Sequence, residues 1–158
     1  MRLKFMLFLY NWSNKLYAKY FKKNKKAWGL NVEDFKLFPV DSLGYSLGIF
    51  YSSNGFNVMP KLENHDVFHV ITQTGTAIHE EIAMQYLLMG NGKCSLYMYA
   101  MIIIGTVIYP EFIRYYMFSY QKGKSLNTFH HIEFFERLKE PLKEIQWELF
   151  VKKNNHTI

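Results

Sequence analysis

Residues 63–81 read Glu63-Asn64-His65-Asp66-Val67-Phe68-His69-Val70-Ile71-Thr72-Gln73-Thr74-Gly75-Thr76-Ala77-Ile78-His79-Glu80-Glu81. The pattern from Asn64 to Met89 is helical with one break, at Thr74-Gly75-Thr76. Asn64 is a suitable N-cap for the first helix and Thr76 for the second, and Gly90-Asn91-Gly92 ends the second. Two short helices joined by a tight turn are therefore expected.

That arrangement gives the polar residues a chemical pattern. His65 and His69 are four apart, one helical turn above each other on one face. Asp66 precedes His69 by three and flanks the same face. His69 lies six residues before Gly75 and Glu81 six after it. Each is thus about 9 Å along its helix, at about 1.5 Å rise per residue. In an antiparallel hairpin folded about Gly75, Glu81 comes level with His69, and two imidazoles and two carboxylates converge. Donors of this kind suit zinc, manganese, cobalt or iron better than copper or calcium. His79 and Glu80 adjoin Glu81, but a helix turns about 100° per residue, so they should point elsewhere. Glu63 has two readings: a group that orients a ligand or acts as acid or base, and simple first-turn helix charge. His130 and His131 read as surface residues.

Outside this segment, 158 residues with 49% hydrophobic content fit one domain with a substantial core. Aromatic residues make up 18%, more flat surface than a minimal core needs, which suits an oligomer interface or a lipid cavity. Cys94 is the only cysteine, so an intrachain disulfide and a thiolate zinc cluster are both excluded, and a reducing, cytoplasmic compartment is expected. Residues 1–26 carry eight cations and no acid, whereas the rest has 11 cations against 13 acids. The basic character belongs to the N-terminus. Leu9, Trp12, Leu16 and Tyr20 there suit an amphipathic helix ending in Lys19, Lys22, Lys23, Lys25 and Lys26, which could meet an anionic membrane surface or dock on the domain. The apolar run Phe5 to Tyr10 is too short to span a bilayer. No recognition motif accompanies the cations, so nucleic acid is not an expected partner.

Between residues 27 and 64, Gly29, Pro39, Gly44, Gly48, Gly55 and Pro60 imply short helices and turns, one of them capped by Asp41 or Ser42, running to about Tyr51 and leaving through Ser52-Ser53-Asn54-Gly55. Leu96 to Tyr109 is almost wholly apolar but only 14 residues long, below the roughly 20 of a membrane helix. It is expected to be a buried central helix, kinked or restarted at Pro110, with a turn at Gln121-Lys122-Gly123-Lys124. A last amphipathic helix is expected from about His131 to Phe150, disturbed by Pro141. The organisation is then all-α: a basic N-terminal helix over 1–26, a helical domain over 27–150, and a polar tail over 151–158.

At its metal-ligand residues the chain resembles the Coq-four family of coenzyme Q biosynthesis proteins. The family signature, His-Asp-x-x-His, eleven residues, then Glu, stands here as His65-Asp66-Val67-Phe68-His69, Val70 to Glu80, and Glu81. Pro39-Val40-Asp41-Ser42-Leu43-Gly44 resembles the family's Pro-x-x-Ser-Leu-Gly, and Glu63 occupies its acidic position two before the first histidine. Gly75-Thr76, the apolar helix, Gly123 and Leu142-Lys143-Glu144-Ile145 through Glu148-Leu149 also have counterparts, so the resemblance covers about residues 38 to 150. Leu138 stands where the family carries a tryptophan, Phe150 replaces the glycine after Glu-Leu, and the family's longer N-terminal half is expected to be lacking or replaced by the basic helix.

The resemblance implies an all-helical fold and a divalent metal, zinc foremost, held by His65, Asp66, His69 and Glu81. It also implies binding of a polyprenyl lipid or polyprenylated quinone precursor, and association with membrane and with other quinone-biosynthesis proteins. The implied chemistry is oxidative decarboxylation and hydroxylation of a polyprenylated aromatic ring. The alternative is a non-catalytic isoprenoid-binding scaffold with a structural metal. Met98, Met101, Ile102, Ile103, Ile104, Val107 and Ile108 could form an apolar wall for the lipid tail, or plain core. A homo-oligomer, peripheral at the inner face of the membrane, is expected.

Overall fold

A computed structural model describes residues 26–151. The expected N-terminal helix with Lys19, Lys22, Lys23 and Lys25, and the tail beyond residue 151, lie outside the described residues; Lys26 is exposed. Among the described residues the protein is all-helical, with seven α-helices, two short 3-10 turns and no strand. The helices are α1 (Val32–Lys36), α2 (Leu43–Asn54), α3 (Glu63–Thr72), α4 (Ile78–Gly90), α5 (Leu96–Ile108), α6 (Ile113–Ser125) and α7 (Leu142–Phe150). By packing, the described chain falls into two compact units, residues 26–73 with 133–146 and residues 74–132 with 147–151.

In the first unit, Asn31 caps α1: its Oδ1 accepts from the backbone N–H groups of Glu33 and Asp34, and the Asp34 carboxylate accepts from Asn31 N–H. Ser42 caps α2, its Oγ accepting from Tyr45 N–H at 3.2 Å, and the helix leaves through Gly55 at φ 64°. Both ends follow the expectation, with the helix one turn longer. Leu43, Leu47 and Tyr51, four apart, put one face of α2 into the core with Phe35. A Cβ on Gly48 would lie 3.0 Å from the backbone nitrogen of Lys36, so glycine lets α1 and α2 approach closely.

Helix α3 starts earlier than expected. Its N-cap is Leu62, with no side-chain cap, and Asn64 lies inside the helix, where its Oδ1 accepts from Phe134 N–H at 3.0 Å. The long-range partner takes Asn64 away from capping. Gln73 at φ 55° ends α3, and the break expected at Gly75 follows.

The last helix is half the expected length. Residues 131–141 form turns and one 3-10 element, Phe135–Arg137, and α7 begins only after Pro141. Proline has no N–H to give and clashes with the preceding turn, so a helix cannot run through it unbroken. The segment is instead held by Leu43 N–H to the Glu140 carbonyl and Leu142 N–H to the Asp41 carbonyl, both at 2.9 Å.

In the second unit, α4 has no Thr76 cap; Ala77 is the N-cap residue, and its N–H donates to the Glu80 carboxylate at 2.9 Å. Helices α4 and α6 touch backbone to backbone, because a Cβ on Gly90 would run into the Tyr120 carbonyl and one on Gly123 into the Leu87 carbonyl. Gly123 and its neighbours therefore belong to α6 rather than to a turn. Asn91 is buried at the end of α4, and its side chain makes four bonds. Its amide donates to the Gly123 and Asn127 carbonyls, and its Oδ1 accepts from Phe129 and His130 N–H. Ile82, Ala83, Tyr86, Met98, Ile102 and Tyr116 form the core of this unit. Helix α5 stops at Ile108, and the chain bends by 104° into Pro110–Ser125, the restart expected at proline. The expectation of a buried α5 fails on one side. Met98, Met101, Ile102 and Gly105 are buried, but Leu96, Ile103 and Val107 are exposed.

Candidate metal centre

His65 and His69 lie one turn apart on α3, as their spacing requires. Their Nε2 atoms are 3.2 Å apart, with the rings edge to face at 84° and centroids 4.9 Å apart. His69 is buried, and its ring stacks on Phe50 of α2 at 5.8 Å and 20°. Its orientation is thus set by packing.

One ligand atom from each of His65, His69 and Glu81 lies within 4.8 Å of the others, and Glu81 is 9% exposed. The neighbours of Glu81 do other work: Glu80 accepts from Ala77 N–H, and His79 stacks on Phe112 at 4.2 Å and 12°. Both point away from a ligand role, as the helical turn requires.

The donors fit a divalent cation. Nitrogens about 2.0–2.1 Å from a tetrahedral zinc are about 3.3 Å from each other, and the two Nε2 atoms stand at 3.2 Å. Two imidazoles and a carboxylate are borderline-to-hard donors, suited to zinc and its first-row neighbours.

Asp66 is placed differently from the trio. Its Oδ2 accepts a hydrogen bond from Tyr51 OH at 2.8 Å. Tyr51 is 1% exposed and packs against Phe35 and Phe50 at 5.7 and 5.8 Å. Burial, and then the negative charge of Asp66, push the Tyr51 hydroxyl far above the usual tyrosine range, so it stays protonated and donates. Glu63 is 2% exposed, lies in the first turn of α3 and accepts from the Trp28 backbone N–H at 3.0 Å. The Trp28 ring in turn packs on Phe35 and Phe135.

Tyr51 and Phe50 are the site's neighbours that the motif alone does not reveal. The one available signal was the Leu43, Leu47, Tyr51 spacing, which faces Tyr51 inward without saying what it meets. Of the residues expected to line a lipid tail, Met98 and Ile102 belong to the core cluster and Met101 is 8% exposed. Ile108 packs against the same cluster, and Ile104 is 39% exposed. His130 is held by Asn91, its Nδ1 3.0 Å from the Asn91 carbonyl, and His131 is exposed.

The family model described as coenzyme Q (ubiquinone) biosynthesis protein Coq4 matches residues 56–155, well over half of the chain. No individual curated protein matches the sequence.

Proposed function

From the premise that the chain belongs to the coenzyme Q (ubiquinone) biosynthesis protein Coq4 family, and so has a role in ubiquinone biosynthesis, we propose a metal-dependent enzyme acting on a polyprenylated aromatic ring. The reaction is oxidative decarboxylation with hydroxylation: the ring carboxyl leaves as carbon dioxide and a hydroxyl takes its carbon. Overall it is a two-electron oxidation, so an external oxidant such as dioxygen is consumed.

The observation that carries this reading is the convergence of three donors, His65, His69 and Glu81. Catalytic zinc sites use three protein ligands and keep a position for substrate, whereas structural sites use four. When bound, the ion would act as a Lewis acid toward a substrate carboxylate or phenol oxygen. The chain's own residues do the rest. Phe50 fixes the plane of the His69 ring, and Tyr51 fixes one oxygen of Asp66. Buried Glu63 is tied to the Trp28 backbone two residues before His65. Asp66 is the donor that would complete a four-ligand structural site, the requirement of the scaffold alternative, and its Oδ2 accepts from Tyr51 OH.

Zinc is the first choice of ion; manganese, cobalt and iron share the donor preference. A polyprenylated ring resides in a bilayer, so the reading places the protein peripherally at a membrane, at its cytoplasmic face, as a homo-oligomer in contact with other ubiquinone-synthesis proteins. The test is a substrate carrying labelled carbon in its ring carboxyl. Labelled carbon dioxide is expected from the native protein and not from Glu81→Ala. Metal and lipid binding without label release would overturn the enzymatic reading in favour of the scaffold.

A further inference from the structure

The buried stripe of α2 is Leu43, Leu47 and Tyr51, and only the third carries a polar tip. A phenylalanine would keep the ring packing without it, and a buried hydroxyl costs free energy unless a partner meets it. Among the described residues its hydrogen-bond partner is Asp66, whose Oδ2 accepts from Tyr51 OH at 2.8 Å. Asp66 follows His65 directly and precedes His69 by three, so the contact grips α3 at a residue set between its two imidazoles in sequence.

The donor is held firmly. The Tyr51 ring lies 5.7 Å from Phe35 at 44° and 5.8 Å from Phe50 at 65°. Phe50 in turn meets Phe56 edge to face at 6.0 Å and stacks on the His69 ring at 20°. Two adjacent residues of α2 therefore hold two side chains of α3, one through a hydrogen bond and one through a ring face. All of these residues belong to the same compact unit. Helix α2 is itself fixed, capped at Ser42 and packed closely on α1 at Gly48.

A carboxylate is planar, so a fixed donor on one oxygen restricts both side-chain torsions and sets where the other oxygen and the negative charge lie. Beside a site that takes a divalent cation, the placing of that charge bears on affinity. Outer partners that orient such groups change metal affinity by about 10–100-fold when removed. We infer that Tyr51 is a positioning residue of the metal centre: its hydrogen bond holds the Asp66 carboxylate so that its charge helps retain a divalent cation at the α3 histidines. The inference rests on the metal reading above and extends it to a residue outside the His-Asp-x-x-His segment, on a different helix.

The test is titration of the full chain, freed of metal, with cobalt(II) against a competing chelator. Cobalt shares the donor preference of zinc and, unlike the d10 ion, has visible bands by which to follow binding. Tyr51→Phe keeps the ring and removes only the donor, and circular dichroism confirms that it folds. Its cobalt affinity should fall by about tenfold or more. Made in an Asp66→Ala background, the same substitution should change the affinity no further, since the effect runs through that carboxylate. A Tyr51→Phe protein that binds cobalt as tightly as the native one overturns the inference and leaves the metal reading standing. An equal loss in both backgrounds also overturns it, by assigning the effect to ring packing. A native protein that takes up no cobalt sinks the metal reading and this inference with it.

Discussion

Helix α3 buries Glu63, Asn64, His69 and Thr72, while helix α5 leaves Leu96, Ile103 and Val107 exposed. Stability alone would favour the reverse, because buried polar groups need partners and exposed apolar ones gain nothing. In α3 the partners are present. Asn64 meets the Phe134 backbone, Glu63 the Trp28 backbone, and Thr72 the Phe68 carbonyl. His69 stands against His65 and Phe50. In α5 the exposed stripe has none among the described residues. The first helix thus gives its buried polar groups partners, while the second leaves an apolar stripe in solvent.

Substitutions can break this contrast, and the largest effect is expected where α5 behaves as ordinary core. Met98→Ala should lower stability by about 2–5 kcal/mol, since Met98 is fully buried in the core cluster. Denaturant unfolding followed by circular dichroism measures it, and a cost below that range would mean the inner face is not the packed one. In α3, Asn64→Ala leaves the buried Phe134 N–H without its acceptor and should cost about 1–3 kcal/mol. The same unfolding experiment reads this, with rapid hydrogen exchange at Phe134 as its signature. Tyr51→Phe removes one hydrogen bond and keeps the ring, so about 1 kcal/mol is expected. The smallest effect is Val107→Ser, within about 0.5 kcal/mol, because the side chain is largely in solvent. A large loss at Val107 would show the outer stripe to be packed, and the contrast with Met98 would collapse.

Local features were legible in the sequence because their causes are local. The break at Gly75, the end of α4 near Gly90 and the restart at Pro110 follow from backbone preferences that a residue carries anywhere. The site was legible for a related reason: a four-residue spacing on a helix fixes a shared face. What escaped depends on distant partners. Asn64 reads as a cap until Phe134, seventy residues on, claims its oxygen. Tyr51 and Asp66 are fifteen residues apart, and no spacing rule joins them. The outward face of α5 was hidden for another reason: Leu96 to Ile108 is apolar all round, so periodicity has no polar residue by which to mark the solvent side. Pro141 was visible, but the segment before it keeps helix-like apolar spacing while folding as turns.

The central claim is that His65, His69 and Glu81 hold a divalent ion. Its most direct test is elemental analysis of the natively purified protein beside His69→Ala and Glu81→Ala, with circular dichroism to confirm that each variant folds. One ion per chain in the native protein, lost from both folded variants, is the predicted result. A metal-free native protein, or variants that keep a full complement of metal, would contradict it.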